Sequence, residues 1–373
     1  MASAMSRDLY IDFARGLATL SVILIHTAYW SGQLYVPLKV SALSLVFDVV
    51  IFFAISGIVS GASIERTMQR LLRLQVTYMI FVTFLFTLDY LFKVIGQTLF
   101  SMKWLEEFYS IFGPKYSAAN CSMYPQLHNL GNWYLHQYTR ADTFPVATAS
   151  LWFLNLYFII TVLGVIILRF FSNHIAWFVG LSVALAVFFG VFPGYCPAGQ
   201  AGYVAFYLAV FLIGSQMRGK KISAKAIATL YSLAGAALVW MFWFYGKYVV
   251  YDISGFKFPP KLPYMIWTSF SLVTLFSLYG RLVITKENFV TRIGRNAIFF
   301  YFAQGISSSM IYLPVVLLKE DTPWWILLVV VYAVNVVLAC VISEVLKKVD
   351  ALGWEFLELL RRKTASEGVK SPS

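Results

Sequence analysis

The chain has 373 residues, of which 60% are hydrophobic, 18% aromatic and only 12% charged. Soluble proteins carry about twice that fraction of charged residues, so the composition excludes a soluble enzyme and indicates a membrane protein. The net charge of +12 does not indicate a nucleic-acid partner, because basic loops that face an anionic cytoplasmic leaflet explain it.

Apolar segments follow one another along nearly the whole chain. A helix needs roughly 20 residues to cross a hydrocarbon core of about 30 Å, and a spanning helix satisfies all its backbone groups internally. The predicted fold is therefore an all-α polytopic membrane protein, a bundle of about ten transmembrane helices. The predicted spans are 12–31, 41–61, 74–96, 151–171, 175–192, 203–217, 226–246, 263–283, 296–318 and 324–345.

Basic residues set the predicted orientation and the domain limits. With the N-terminus inside, 20 of the 29 Lys and Arg residues fall in cytoplasmic segments, which favours both termini in the cytoplasm. Residues 1–345 form the predicted membrane domain, with an ordered, aromatic outer loop at about 97–149. Residues 346–373 are predicted to be a cytoplasmic amphipathic helix and a tail, because apolar residues there lie near one helical face.

Ionisable side chains inside the predicted spans identify a candidate site. His26 lies eleven residues after Arg15, about 16 Å further along a helix, and a titratable group at that depth needs a reason. A neutral histidine bonded to a neighbouring helix is the structural alternative. Asp48 and Asp89 lie at a similar predicted depth, and a carboxylate that accepts the imidazole N–H would orient the ring. Asp48 is the better candidate because its span directly follows the first, although either aspartate could instead pair with another polar group for packing.

Arginines gather at the predicted inner end of the first and third spans. Asp12 and Arg15 have i, i+3 spacing and can pair on one helical face. Arg70 and Arg73 repeat that spacing. Guanidinium groups bind phosphates with bidentate geometry, so the pattern indicates a phosphate site, while anchoring at the inner membrane surface also predicts arginines here.

Small residues and cysteines indicate possible packing and bonding sites less specifically than the charged residues do. The segment Phe52–Gly57 opens a stretch rich in small side chains, which lets helices or a ligand approach the backbone closely. Cys121 and Cys196 both fall in predicted outer segments, so a disulfide between them is a hypothesis. No zinc spacing, P-loop or dinucleotide fingerprint is present, so no metal site is predicted.

Four motifs in a fixed order resemble the membrane acyltransferase-3 family. They are Asp12-Phe-Ala-Arg15-Gly16 with His26 behind it, Phe52-Phe-Ala-Ile-Ser-Gly57, Arg70-Leu-Leu-Arg73 and Leu151-Trp152-Phe153-Leu154. The opening segment looks closest to the fucose 4-O-acetylase-like branch, which is tied to bacterial exopolysaccharide O-acetylation. One position departs from the family, whose members often end a late helix with Tyr-Leu-Leu-His, because this chain has Tyr301-Phe-Ala-Gln304.

The resemblance implies transfer of an acyl group, usually acetyl, from cytoplasmic acyl-CoA to a sugar hydroxyl. His26 would be the general base and Asp48 would orient it, with Asp12 a further candidate at the catalytic site. Arg15, Arg70 and Arg73 would hold acetyl-CoA, the acyl donor. The acceptor would be an exported or cell-surface polysaccharide or a lipid-linked oligosaccharide, and Trp133, Tyr134 and Trp152 would offer faces to its sugar rings.

The same resemblance implies a multi-pass protein of the bacterial inner membrane. Its partners would be membrane lipid and polysaccharide synthesis machinery, with no nucleic acid. A transporter or flippase for a glycan or lipid-linked sugar is the main alternative, since it would share buried Asp and His residues. An accessory subunit of a polysaccharide synthesis complex is the third interpretation.

Overall fold

The protein is described by a computed structural model that covers residues 8–113, 124, 130–135, 141–199 and 201–368. Within these ranges the regular elements are helices, and no strand occurs. The α-helices are α1 Leu9–Tyr29, α2 Leu38–Ser44, α3 Val50–Val59, α4 Ile64–Ile95, α5 Met102–Ser110, α6 Leu130–Leu135, α7 Pro145–Ser150, α8 Trp152–Phe170, α9 Ile175–Val191, α10 Ala201–Met217, α11 Ala224–Tyr245, α12 Leu262–Leu278, α13 Phe289–Arg295, α14 Ala297–Met310, α15 Tyr312–Leu318 and α16 Trp324–Gly368.

Seven helical stretches in the described part of the chain are long and apolar enough to cross a membrane. They contain α1, α4, α8, α9, α11, α14 and α16, and the three shorter helices α3, α10 and α12 are also apolar. The predicted all-α membrane architecture is therefore confirmed. The count of about ten spans and the cytoplasmic position of both termini stay predictions.

The predicted span 41–61 is not one continuous helix. Helix α2 ends at Ser44 and α3 begins at Val50, and Asp48 lies in the break between them. The Asp48 side chain accepts a hydrogen bond from the backbone N–H of Val49 at 2.7 Å. Short polar side chains that bond to nearby backbone groups compete with helix formation, which explains the break. A window of mean hydropathy cannot detect it, because the flanking residues are apolar.

The last helix continues beyond the end of its predicted span. Helix α16 has 45 residues, about 68 Å of helix at 1.5 Å per residue. The predicted span 324–345 and most of the predicted amphipathic segment therefore form one continuous helix. Close packing supports the continuation, since a Cβ placed on Gly353 would meet the side chain of Ile80 on α4. The interfacial position predicted for this segment stays a prediction.

Helix α1 lies between the two largest apolar clusters of the structure. Val22 and Ile25 belong to the cluster formed with α3, α8, α10 and α12. Ile23, which points to another side of α1, belongs to the cluster formed with α4, α14 and α16. Any space that separates these clusters is therefore bordered by α1.

A buried polar network joins α1 to α14 and α16. The amide nitrogen of Asn335 donates to the Thr27 hydroxyl at 2.9 Å and to the Ser308 hydroxyl at 3.0 Å, and the Ser307 hydroxyl donates to its amide oxygen at 2.6 Å. Hydrogen bonds of this kind hold helices together where lipid gives no hydrophobic driving force. Because Thr27 directly follows His26 in α1, the network fixes the position of α1 next to His26.

Small residues allow α3 to pack directly on α10. A Cβ on Gly57 would collide with the backbone carbonyl of Phe211, and a Cβ on Gly214 would collide with that of Ala54. This close approach is one of the two outcomes expected from the small residues after Phe52.

Candidate functional site

A cavity of about 310 Å³ lies between the two apolar clusters, along α1. This volume falls in the range of small-molecule sites. Arg15 and His26 both line the cavity, and their backbone positions are about 16 Å apart along the helix axis. The ionisable and polar residues that line it are Arg15, Thr19, His26, Asp48, Ser56, Ser150, Trp152, Tyr157, Lys257, Arg295, Tyr301 and Gln304.

His26 and Gln304 lie side by side in the cavity. The Nδ1 atom of His26 and the Oε1 atom of Gln304 are buried, and neither has a hydrogen-bond partner among the described residues. The Gln304 amide nitrogen donates to the backbone carbonyl of Tyr301 at 3.1 Å. The two side chains thus interact with each other, and each keeps one buried polar atom without a hydrogen-bond partner among the described residues.

Asp48 lies at the same end of the cavity but does not bond to His26, contrary to the expectation from depth. Its Oδ2 accepts from the Tyr264 hydroxyl at 2.7 Å and lies 2.8 Å from Nζ of Lys257. Its Oδ1 accepts from Lys257 at 3.0 Å and from the N–H of Val49. Both carboxylate oxygens are therefore already occupied. The alternative interpretation, that Asp48 pairs with another polar group, holds for the pairing itself. The partner is a lysine that also lines the cavity.

Lys257 was missed by sequence reasoning, which counted it only as a basic residue of an outer loop. It lies in the turn-rich segment between α11 and α12, which the fully buried Ile253 anchors in the apolar core. Its ammonium lies 5.4 Å from the centroid of the Trp152 ring and 5.2 Å from that of Phe258. The side chain is only 9% exposed. One sequence feature could have indicated such a residue: Asp48 lies inside an apolar span, and a carboxylate there needs a positively charged partner.

Arg15 and Arg295 line the other end of the cavity. The Arg15 guanidinium lies 3.9 Å from the carboxylate of Asp12, as the i, i+3 spacing predicted. Asp12 is buried but is not among the lining residues, because α13 crosses α1 at this point and a Cβ on Gly294 would meet the Asp12 carbonyl. Arg295, which pairs with Glu287 at 2.8 Å, was not singled out from the sequence.

Arg70 and Arg73 are exposed on α4 and do not line the cavity. The Arg70 guanidinium donates to the Thr67 hydroxyl at 3.2 Å. The Arg73 guanidinium lies 5.9 Å from the centroid of the Trp354 ring on α16. Leu74, the next residue, does line the cavity, so this arginine pair lies beside its arginine end.

Asp89, the other carboxylate considered for His26, belongs to a separate charge cluster. It lies 3.0 Å from Lys93, and Lys93 lies 2.9 Å from Asp142. All three side chains are buried, and none lines the cavity that contains His26. The packing interpretation holds for this aspartate.

Two predicted features of the outer loop lie outside the described residues. These are Cys121 and the side chain of Trp133. Cys196 is a free cysteine in the structure, which contradicts the predicted Cys121–Cys196 disulfide. Tyr134 bonds through its hydroxyl to Thr83, at 2.6 Å, whereas Trp152 lines the cavity.

Among the described residues, no three His, Cys, Asp or Glu side chains are grouped so that they could hold a metal ion.

Comparison with known families identifies the chain. The acyltransferase-3 family, described as an acyltransferase domain, matches residues 8–344. The chain belongs to the acyltransferase-3 family. No curated protein and no solved structure matches it. Together with the apolar helices, the family establishes a multi-pass membrane acyltransferase, while its place in the fucose 4-O-acetylase-like branch stays a prediction.

The cavity of this acyltransferase therefore has two chemically different ends. The arginine end holds Arg15 and Arg295, and the histidine end holds His26, Gln304 and the Asp48–Lys257 pair. The sequence had singled out one residue of the first set and two of the second as site residues. It missed Arg295 and Lys257, and it gave Gln304 no role.

Proposed function

We propose that the protein transfers an acyl group, preferentially acetyl, from cytoplasmic acyl-CoA to a hydroxyl of an exported or cell-surface polysaccharide or its lipid-linked precursor. The observation that carries this proposal is one cavity with guanidinium groups at one end and an imidazole at the other. The reaction needs both: a cationic site for the phosphates of the donor and a base for the acceptor hydroxyl.

The donor binds at the arginine end. Arg15 and Arg295 face the cavity, and the Arg70–Arg73 pair lies beside it. Their planar groups bind the phosphates of acetyl-CoA with bidentate geometry, and the pantetheine arm follows α1 toward His26. Asp12 holds the Arg15 guanidinium from the buried side of the helix.

The acceptor enters at the histidine end, where His26 removes the hydroxyl proton as general base. The cavity face of Trp152 offers a flat apolar surface to a sugar ring. Asp48 contributes by holding Lys257 in the cavity. In this proposal the protein resides in the bacterial inner membrane, where membrane lipid surrounds it and polysaccharide synthesis machinery supplies the acceptor.

Experiments with purified protein in nanodiscs test the donor side of the proposed reaction directly. Binding and slow hydrolysis of acetyl-CoA are measured for wild type, His26→Ala and Arg15→Ala. We expect His26→Ala to bind acetyl-CoA normally and to lose turnover by a factor of about 10²–10⁴, the usual contribution of a general base. Arg15→Ala is expected to weaken binding by about tenfold or more, as loss of a charge-assisted hydrogen bond to a phosphate does.

Two exposed residues of the same types provide matched controls. His174→Ala and Arg169→Ala remove a histidine and an arginine that do not line the cavity, and both should behave as wild type. If folded wild-type protein binds no acyl-CoA, the proposal fails and the transporter or flippase interpretation takes its place.

A further inference from the structure

Lys257 is a buried cation that the proposed reaction, as described so far, does not use. Its ammonium group has three N–H donors, and the two oxygens of Asp48 account for two of them, at 3.0 and 2.8 Å. Because Lys257 also lines the cavity, the remaining donor is available to a group bound beside His26.

The position of Lys257 is fixed before any substrate arrives. The Asp48 carboxylate is itself held by Tyr264 and by the N–H of Val49, and the rings of Trp152 and Phe258 lie within 5.4 Å of the ammonium. A cation held in this way in a site of low polarity stabilises developing negative charge without having to reorganise.

Packing alone does not explain a lysine at this point. A buried ion pair is often no more stabilising than apolar residues of similar volume, and Asp48–Lys257 faces a cavity rather than a filled interior. The ammonium is also close enough to the imidazole of His26 to interact with it electrostatically. In the proposed reaction the pair would therefore lie beside the acyl carbon that is transferred.

We propose that Lys257 is a catalytic residue that donates a hydrogen bond to the thioester carbonyl oxygen as it becomes an oxyanion. This inference rests on the proposed function. The acceptor hydroxyl gives its proton to His26, and its oxygen forms a bond to the carbonyl carbon. The carbonyl π electrons move to the oxygen that Lys257 contacts. When the C=O bond re-forms, the C–S bond breaks and the CoA thiolate takes the proton from His26, leaving an ester and free CoA.

Two variants of Lys257 and one control variant test this role in nanodiscs. Lys257→Met removes the charge at nearly constant volume and is expected to lower kcat by about 10²–10³-fold, as loss of one oxyanion donor does. The affinity for acetyl-CoA should stay near that of wild type. Lys257→Arg, which keeps the charge, should recover part of the rate. Lys261→Met is the matched control, since Lys261 lies in the same segment but not in the cavity, and it should leave kcat unchanged.

The double variant Asp48→Asn/Lys257→Met separates catalysis from packing. It restores a neutral pair, so any folding defect caused by an unpaired Asp48 is relieved. Under the proposal kcat stays low in the double variant. Recovery of the wild-type kcat would show that Lys257 serves only to neutralise Asp48, and would overturn the proposal. A wild-type kcat in Lys257→Met would do the same.

A non-reacting donor gives a readout that does not depend on turnover. A ketone analogue of acetyl-CoA, with a methylene in place of sulfur and a ¹³C-labelled carbonyl, is bound to wild type and to Lys257→Met. The carbonyl stretch in wild type should lie at lower frequency than in the variant, and equal frequencies would overturn the proposal. If wild type binds neither acetyl-CoA nor the analogue, the proposed function itself fails. Normal binding and turnover with no dependence on Lys257 removes only this inference.

Discussion

Two buried lysines of this acyltransferase, Lys257 and Lys93, share the same kind of partner but have different surroundings. Lys257 pairs with one carboxylate and borders the cavity that contains His26. Lys93 lies between Asp89 and Asp142, away from that cavity. A buried ion pair is thus not in itself a sign of chemistry. Access from a cavity that holds other reactive groups distinguishes the two.

The Lys93 cluster has a structural task that its contacts define. Lys93 and Asp89 belong to α4, and Asp142 lies just before α7. The backbone N–H of Thr143 also donates to Asp89 at 3.0 Å. One charged contact, from Lys93 to Asp142, and one backbone hydrogen bond therefore fasten the end of the predicted outer loop to α4. The Lys257 cluster makes comparable bonds but leaves one ammonium donor for the cavity.

The largest stability effect should come from removing Lys93. Lys93→Met removes the cation that lies between two buried carboxylates, and breaking a buried pair in this way costs about 3–5 kcal/mol. We expect a strongly lowered unfolding temperature in detergent, with kcat per folded molecule near that of wild type. Lys257→Met should combine a smaller loss of stability with a strongly lowered kcat, because Asp48 keeps its bonds to Tyr264 and Val49 while the proposed oxyanion donor is lost.

Lys103→Met serves as the control for that measurement. Lys103 is 85% exposed and lies 3.9 Å from Glu107, and exposed pairs contribute little to stability. A Lys93→Met protein as stable as wild type would contradict the structural role of the cluster.

A smaller loss is expected when one carboxylate of the Lys93 cluster is neutralised. Asp142→Asn leaves Lys93 paired with Asp89 and weakens one charged hydrogen bond, a change of about 1.5–3 kcal/mol. Thermal unfolding measures the loss, and acetyl-CoA turnover per folded molecule should be unaffected. A fall in turnover beyond tenfold would mean that the two clusters are coupled, and would break the distinction drawn between them.

The smallest effect concerns the aromatic rings that surround Lys257. Phe258 is 48% exposed, and a cation–π contact at such a site contributes about 0.5–1 kcal/mol. Phe258→Leu should therefore reduce kcat by about two- to fivefold, by loosening the ammonium. Phe170→Leu, at an exposed ring that does not line the cavity, should leave kcat at the wild-type value. A Phe258→Leu enzyme with unchanged kcat would show that Asp48 alone positions Lys257.

The helical architecture and the positions of its apolar helices could be predicted, because hydropathy reports directly on which segments avoid water. The break before α3 could not, since it depends on one aspartate bonding to the next backbone N–H. A helix after residue 345 was predicted, but its continuity with the last span was missed, because its polar composition resembles that of a separate surface helix.

The relative position of two site residues could be predicted from the sequence because both lie on one helix. Arg15 and His26 are both on α1, so their separation follows from helix geometry alone. Lys257 lies 209 residues from Asp48, in a segment without regular periodicity, and no local pattern connects the two. Gln304 stood out because it departs from the family motif, but its place beside His26 required the packing of α14 on α1.

In the proposed reaction, helix α1 would set a fixed distance between donor and base. Arg15 and His26 lie on one helix, so eleven residues of regular rise separate them. This distance would correspond to the carrier arm and not to the group it delivers. Selection among acyl groups would then belong to the side chains beyond His26, so exchanging those residues should alter which acyl group is transferred while the carrier stays the same.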